Sequence, residues 1–115
     1  MDFSEPPHLK DIRAEAETFV AEHVTPELLE DELLTGDGVS RPMLRAMAAK
    51  GWVAPMWSKE EGGAGLDPFE TATMLAVIRA AGGPTIGPGT TMLTANAIRA
   101  VGSAQLRQRI LPGVA

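Results

Sequence analysis

The chain has 115 residues, of which 44% are apolar and 22% charged. That is the length and balance of one globular domain able to bury a single modest core. It contains no cysteine, which removes disulfides, thiolate metal sites and a cysteine nucleophile. The net charge is −5, where a nucleic-acid-binding domain would present a basic face.

The opening residues MDFSEPPHLKD lack the apolar core of a signal peptide. No apolar run approaches the roughly 20 residues of a membrane span. A cytoplasmic location with no membrane span and no nucleic-acid partner is expected. Charge is unevenly distributed. Residues 1–35 hold ten acids and two bases, whereas residues 71–115 hold four arginines and no acid. Two solvated faces of opposite sign explain this. A sharper reading is a basic end that meets an anionic ligand or an acidic partner.

Apolar residues recur at intervals of three and four, so the chain is read as helical almost throughout. A first helix, about 8–23, carries Leu9, Ile12, Ala16, Phe19 and Val20 on one face. Pro26 lies just past its end. Residues 27–34 (ELLEDELL) form a short acidic turn or helix, broken by Gly36-Asp37-Gly38. Ser40 caps a helix over 41–50, with Pro42 in its first turn, Met43, Leu44, Met47 and Ala48 inward, and Gly51 at its close.

Residues 51–66 (GWVAPMWSKEEGGAGL) are a loop by composition. Asp67-Pro68-Phe69-Glu70 is a helix start: cap, proline at the first position, and a glutamate three residues after the cap. That helix runs to about Ala81, with Phe69, Thr73, Met74, Val77 and Ile78 inward. Gly82, Gly83 and Pro84 end it. PTIGPGT, residues 84–90, is expected to be irregular. A further helix over 91–101 carries Met92, Leu93, Ala95, Ile98 and Val101. Ser103 caps a last helix over 104–111, ended by Pro112. The expected fold is all-α, a bundle-like domain of about five helices spanning 1–115.

Most chemistry-bearing residues read as structural. His8 and His23 lie far apart with no second ligand at metal spacing, so no metal is expected. Ser4, Ser40, Ser58 and Ser103 read as caps or loop residues, with no histidine placed to activate them. Glu60-Glu61 in a glycine loop point into water. EGGAGL, residues 61–66, lacks the lysine and Ser/Thr of a P-loop, is not GxGxxG, and follows no strand. Its glycines allow positive φ and close backbone approach.

The order of these elements carries more than any one of them. Gly51-Trp52 precedes Glu60-Glu61-Gly62-Gly63-Ala64-Gly65-Leu66, and later comes Gly102-Ser103 through Leu111-Pro112. Together with Phe19, Val20 and Val24-Thr25-Pro26, this arrangement resembles the N-terminal helical domain of the acyl-CoA dehydrogenases along nearly the whole chain. The resemblance implies a three-part parent with a central β-domain and a C-terminal helical domain absent from this sequence. It implies FAD held mainly by those absent parts, and an acyl-CoA substrate. It also implies α,β-dehydrogenation by proton abstraction and hydride transfer to the flavin. No residue here matches the catalytic glutamate, so no catalytic residue is assigned and the domain is expected to be inactive alone.

By the same resemblance, the segment from Pro84 to about Asn96 walls the acyl pocket, with Ile86, Pro88, Gly89, Met92 and Leu93 as substrate-facing residues. Met92 and Leu93 also fit as plain core residues by their spacing. Partners implied are the parent's own β- and C-terminal domains and a homo- or hetero-oligomer. Two departures mark a divergent branch: Ala76-Val77-Ile78-Arg79 stands where an acidic pair is common, and Ser58 where proline is common. The alternative is a domain of a non-catalytic subunit of a hetero-oligomeric dehydrogenase, or a stand-alone helical interaction module. Without its neighbours the domain is expected to expose Trp52, Val53, Met56, Trp57 and Leu66, and to self-associate or be marginally stable.

Overall fold

The structure is a computed structural model that describes residues 4–115. The first three residues of the segment read above as no signal peptide lie outside the described residues. Six α-helices follow in chain order, with no strand among the described residues: α1 Pro7–His23, α2 Pro26–Thr35, α3 Arg41–Ala49, α4 Pro68–Ala80, α5 Ile86–Val101 and α6 Ala104–Ile110. The all-α expectation holds. The sixth helix is α2, the segment read as a turn or helix.

Local sequence explains most boundaries. In α4, the N–H groups of Phe69 and Glu70 donate to Asp67 Oδ1 at 2.7 and 2.8 Å, and Asp67 N–H donates back to Glu70 Oε2 at 2.8 Å. This is the capping box foreseen from Asp-Pro-Phe-Glu. Ser40 and Ser103 cap α3 and α6 through the N–H groups of Met43 and Leu106. Pro26 does not merely follow α1. It occupies the first turn of α2, which Thr25 caps through Leu28 N–H. Pro112 lies inside a single 3-10 turn, Leu111–Gly113, that continues α6.

α5 starts earlier than its composition suggests. Residues 84–90 were expected to be irregular, but α5 begins at Ile86 and takes in Gly87, Pro88 and Gly89. The first turn of a helix has N–H groups with no intrahelical partner, so a proline there loses nothing. Pro88 falls in that turn, and Gly89 N–H already donates to Thr85 O at 3.3 Å.

The core forms where α1, α3 and α4 meet. Ile12, Phe19, Met43, Met47, Met74 and Ile78 are all buried, and α1 packs along α4. Trp52 joins them, its ring 5.1 Å from that of Phe19 and tilted by 55°. A smaller cluster of Ala54, Trp57 and Ala95 ties the loop to α5. The result is a flat slab of 44 × 42 × 22 Å.

The loop at 51–66 departs from expectation. Trp52, Val53 and Trp57, expected to be exposed, are buried to within 3%. Leu66 is half-buried, and only Met56, 54% exposed, behaves as expected. The loop folds onto itself: Gly65 N–H donates to Trp57 O at 2.8 Å, and Leu66 N–H to Pro55 O at 2.8 Å. Gly63 allows this, since a Cβ there would collide with the carbonyl oxygens of Trp57 and Ala54. The tryptophans therefore serve this domain's own core. Exposed apolar surface lies elsewhere, on Leu33, Leu34, Phe69, Leu93 and Val101. Of these, Phe69 is the one expected to face inward. Phe69 sits in the first turn of α4 and is 73% exposed.

A candidate ligand cleft between α4, α5 and the tryptophan loop

A cleft of about 230 Å³ opens where the folded loop, α4 and α5 come together. The loop supplies the floor: Trp52, Val53, Pro55, Met56 and Trp57. From α4 come Thr71, Leu75 and Arg79, four residues apart and hence on one helical face. From α5 come Pro88, Gly89, Met92, Asn96 and Arg99, at the same kind of spacing. Thr85, at the start of α5, completes the wall. The lining is mainly aromatic and aliphatic with a few polar groups at its edges, as in pockets for apolar ligands.

The polar groups are held in different ways. Trp57 Nε1–H donates to Asn96 Oδ1 at 3.1 Å, bridging the floor to α5. Arg99 donates to both carboxylate oxygens of Glu61, at 3.1 and 3.0 Å, and its guanidinium lies 5.3 Å from the Trp57 ring centre. Such a fork is geometrically specific, and the stacking adds a cation–π contact. Glu61 also accepts from Ser58 N–H and from the Ser58 hydroxyl. The Ser58 backbone, the Ser58 hydroxyl and Arg99 together hold its carboxyl below the ordinary value. Glu61 thus stays ionised as a brace across the loop. The expectation that it merely points into water misses this.

Two other groups are less completed. Arg79 donates from Nε to Thr85 Oγ1 at 3.1 Å, and among the described residues no carboxylate lies within ion-pair distance of it. The Thr71 hydroxyl is shut off from solvent and has no hydrogen-bond partner among the described residues. The histidines lie away from the cleft. His8 is 3.8 Å from Asp67, and the His23 ring packs 4.5 Å from that of Phe19. Among the described residues no three His, Cys, Asp or Glu side chains gather as a metal site, and no helix is long and apolar enough to cross a membrane.

Of the residues singled out from the sequence, Pro88, Gly89 and Met92 line the cleft together. Ile86 is 60% exposed and packs back against Gly38, while Leu93 is 76% exposed. Neither reaches the cleft. Sequence reasoning missed the contribution of α4, although Thr71, Leu75 and Arg79 share a visible four-residue spacing. It also missed the Trp57–Asn96 pair, whose 39-residue separation leaves no local signal.

A helical slab of this kind, with a capped α4 and a glycine-tight loop beneath an apolar cleft, matches a known domain class. Residues 6–115 match the family model described as acyl-CoA dehydrogenase, N-terminal domain. The chain belongs to the acyl-CoA dehydrogenase family, as that domain. It is similar to a chain in the crystal structure of the ChsE4-ChsE5 complex from Mycobacterium tuberculosis, with a TM-score of 0.74 and 29% sequence identity. The match covers 97% of this chain and 28% of that one. Comparison with curated proteins finds no match.

Proposed function

We propose that this domain walls the acyl pocket of a flavin-dependent acyl-CoA dehydrogenase and does not catalyse the reaction alone. The observation that carries the reading is the cleft itself. It is apolar, floored by two tryptophans, and bordered by Pro88, Gly89 and Met92 on α5. Of the residues assigned to the acyl group, these three are the wall; Ile86 and Leu93 would face other parts of the parent protein.

The residues present do not fit FAD as a whole. A cleft of about 230 Å³ is below the range of about 300–1,000 Å³ usual for drug-sized ligands, and a dinucleotide is larger still. Of the two arginines lining the cleft, Arg99 is already committed to Glu61. In this reading the flavin and the proton-abstracting base belong to the parent's other domains. The contribution here is to bind, orient and exclude water, which acts on catalysis through positioning. The carboxylate beside the cleft, Glu61, is a poor base because its proton affinity is lowered.

A hetero-oligomeric parent is the second reading, with this domain in a catalytic or a non-catalytic subunit. The similar structure is described as a complex of two differently named chains, which supports it.

The test is to fill the cleft in the protein that carries this domain with its β-domain. A Cβ at Gly89 meets nothing within 4 Å, so Gly89→Phe can enter the cleft without moving the backbone. Flavin content should stay unchanged, while kcat/KM for an acyl-CoA falls about ten-fold or more, as expected when substrate positioning is lost. Unchanged turnover in that variant would sink the reading.

A further inference from the structure

We infer that Arg79 makes this cleft selective for an apolar ligand that carries an oxyanion, a carboxylate above all, at the end lying beside α4's last turn. The inference rests on the proposed reading of the cleft as an acyl site and adds to it the chemical class of the ligand.

Thr71, Leu75 and Arg79 form one stripe of α4 along the cleft, running from a hydroxyl through an aliphatic side chain to a guanidinium. Arg79 and Arg99 are the two cations bordering this space, and they differ in state. Arg99 is neutralised by a two-point contact with Glu61 and stacks on Trp57. Arg79 is fixed at Nε by the neutral Thr85 hydroxyl. That contact leaves the terminal guanidinium nitrogens free of any carboxylate among the described residues.

The surroundings do not supply the missing charge. Residues 71–115 contain no Asp or Glu at all. The last turn of α4 favours a cation through its dipole, which explains a basic residue there but not its anchoring by Thr85 at the rim of an apolar cleft. An anchored guanidinium presents its remaining N–H groups in a planar fork that suits a carboxylate or phosphate. An apolar chain lying over Trp52, Val53 and Met92 would place its terminal oxyanion at that fork.

Both tryptophans of the chain line the cleft, so their fluorescence reports its occupancy. Octanoate, monooctyl phosphate and 1-octanol are titrated against the chain and against Arg79→Gln and Arg79→Lys. The anionic ligands should bind about three- to ten-fold more tightly than octanol, the span expected for a partly exposed charge-assisted contact. Arg79→Gln should erase that preference while octanol affinity stays unchanged, and Arg79→Lys should retain part of it. Whichever anion binds better tells carboxylate from phosphate. Equal binding of octanol and both anions, or a preference that survives Arg79→Gln, overturns the inference while leaving an apolar cleft in place. No fluorescence response to any of the three ligands overturns the acyl-site reading and the inference with it.

Discussion

Around Phe19, side chains from α1, α3, α4 and the start of the loop meet with almost no exposure. Around Trp57, the buried apolar cluster among the described residues adds just Ala54 and Ala95, with half-buried Met92, Leu111 and Val114 at the edge. The first region is held by large apolar side chains in close contact. The second is held by backbone turns, two glycine-dependent approaches and a few polar bridges. The cleft lies on the border of the two, its floor shared between Trp52 from the first and Trp57 from the second. A pocket needs unfilled space, and the chain leaves that space where its packing is thinnest.

Removing Phe19 should have the largest effect. Its side chain is 1% exposed and contacts both the His23 and Trp52 rings. Phe19→Ala should lower stability by about 3–5 kcal/mol, measured as a shift in the urea midpoint. A loss under about 1 kcal/mol would mean the first region is not the dominant core. Gly63→Ala comes next and strikes the second region. The new Cβ would meet backbone atoms of Trp57 and Ala54, which cannot swing aside as a side chain would. A loss of about 1–3 kcal/mol is expected, together with a shift in Trp57 fluorescence. Full stability with unchanged emission would show that the loop relaxes freely, and the contrast between the regions would weaken.

That contrast also explains what could be read beforehand. The stripe Ile12, Ala16 and Phe19, the Asp67 capping box and the Ser40 and Ser103 caps depend on residues a few positions apart, so periodicity and cap chemistry reveal them. The burial of Trp52 and Trp57 depends on Gly63 folding the loop under α5, which is a long-range event. Glycine-rich composition says that the chain turns but not what it turns onto. The start of α5 was hidden for a related reason. Pro88 and two glycines weaken helix propensity, yet they occupy a first turn that asks little of them. For the cleft, the α5 side was visible as Pro88, Gly89 and Met92. Its opposite wall has the four-residue spacing of Thr71, Leu75 and Arg79, but spacing alone does not say which face of α4 meets a cleft.

Thr71 sharpens the comparison by a smaller effect of opposite sign. Its hydroxyl is buried without a partner among the described residues, and an unmet buried polar group is unfavourable. Thr71→Val keeps the shape and removes the hydroxyl. It should raise stability by about 1 kcal/mol or leave it unchanged, read as a higher thermal midpoint. A clear loss of stability would show that the hydroxyl has a partner in solution, such as a water held in the cleft.

The smallest effect is expected at Glu61, and it separates the regions by pH. Its folded-state proton affinity is depressed by Ser58 and then Arg99. A carboxyl with a lowered pKa stabilises the folded state above its unfolded pKa, and that contribution disappears as pH falls through the folded value. The ordinary value for this group is 4.5. The difference between the protein and Glu61→Gln should therefore be constant at neutral and mildly acidic pH, and should shrink below the ordinary carboxyl range. The pair is exposed, so the difference should be small and should fall with added salt. Urea midpoints of both proteins at about pH 7 and about pH 3 would measure it. The loss from Phe19→Ala is one of buried apolar contact, so the same two pH values should leave most of it intact. If Glu61→Gln showed the same deficit at both pH values, the brace would act through packing, and the second region would resemble the first more closely than its polar contacts suggest.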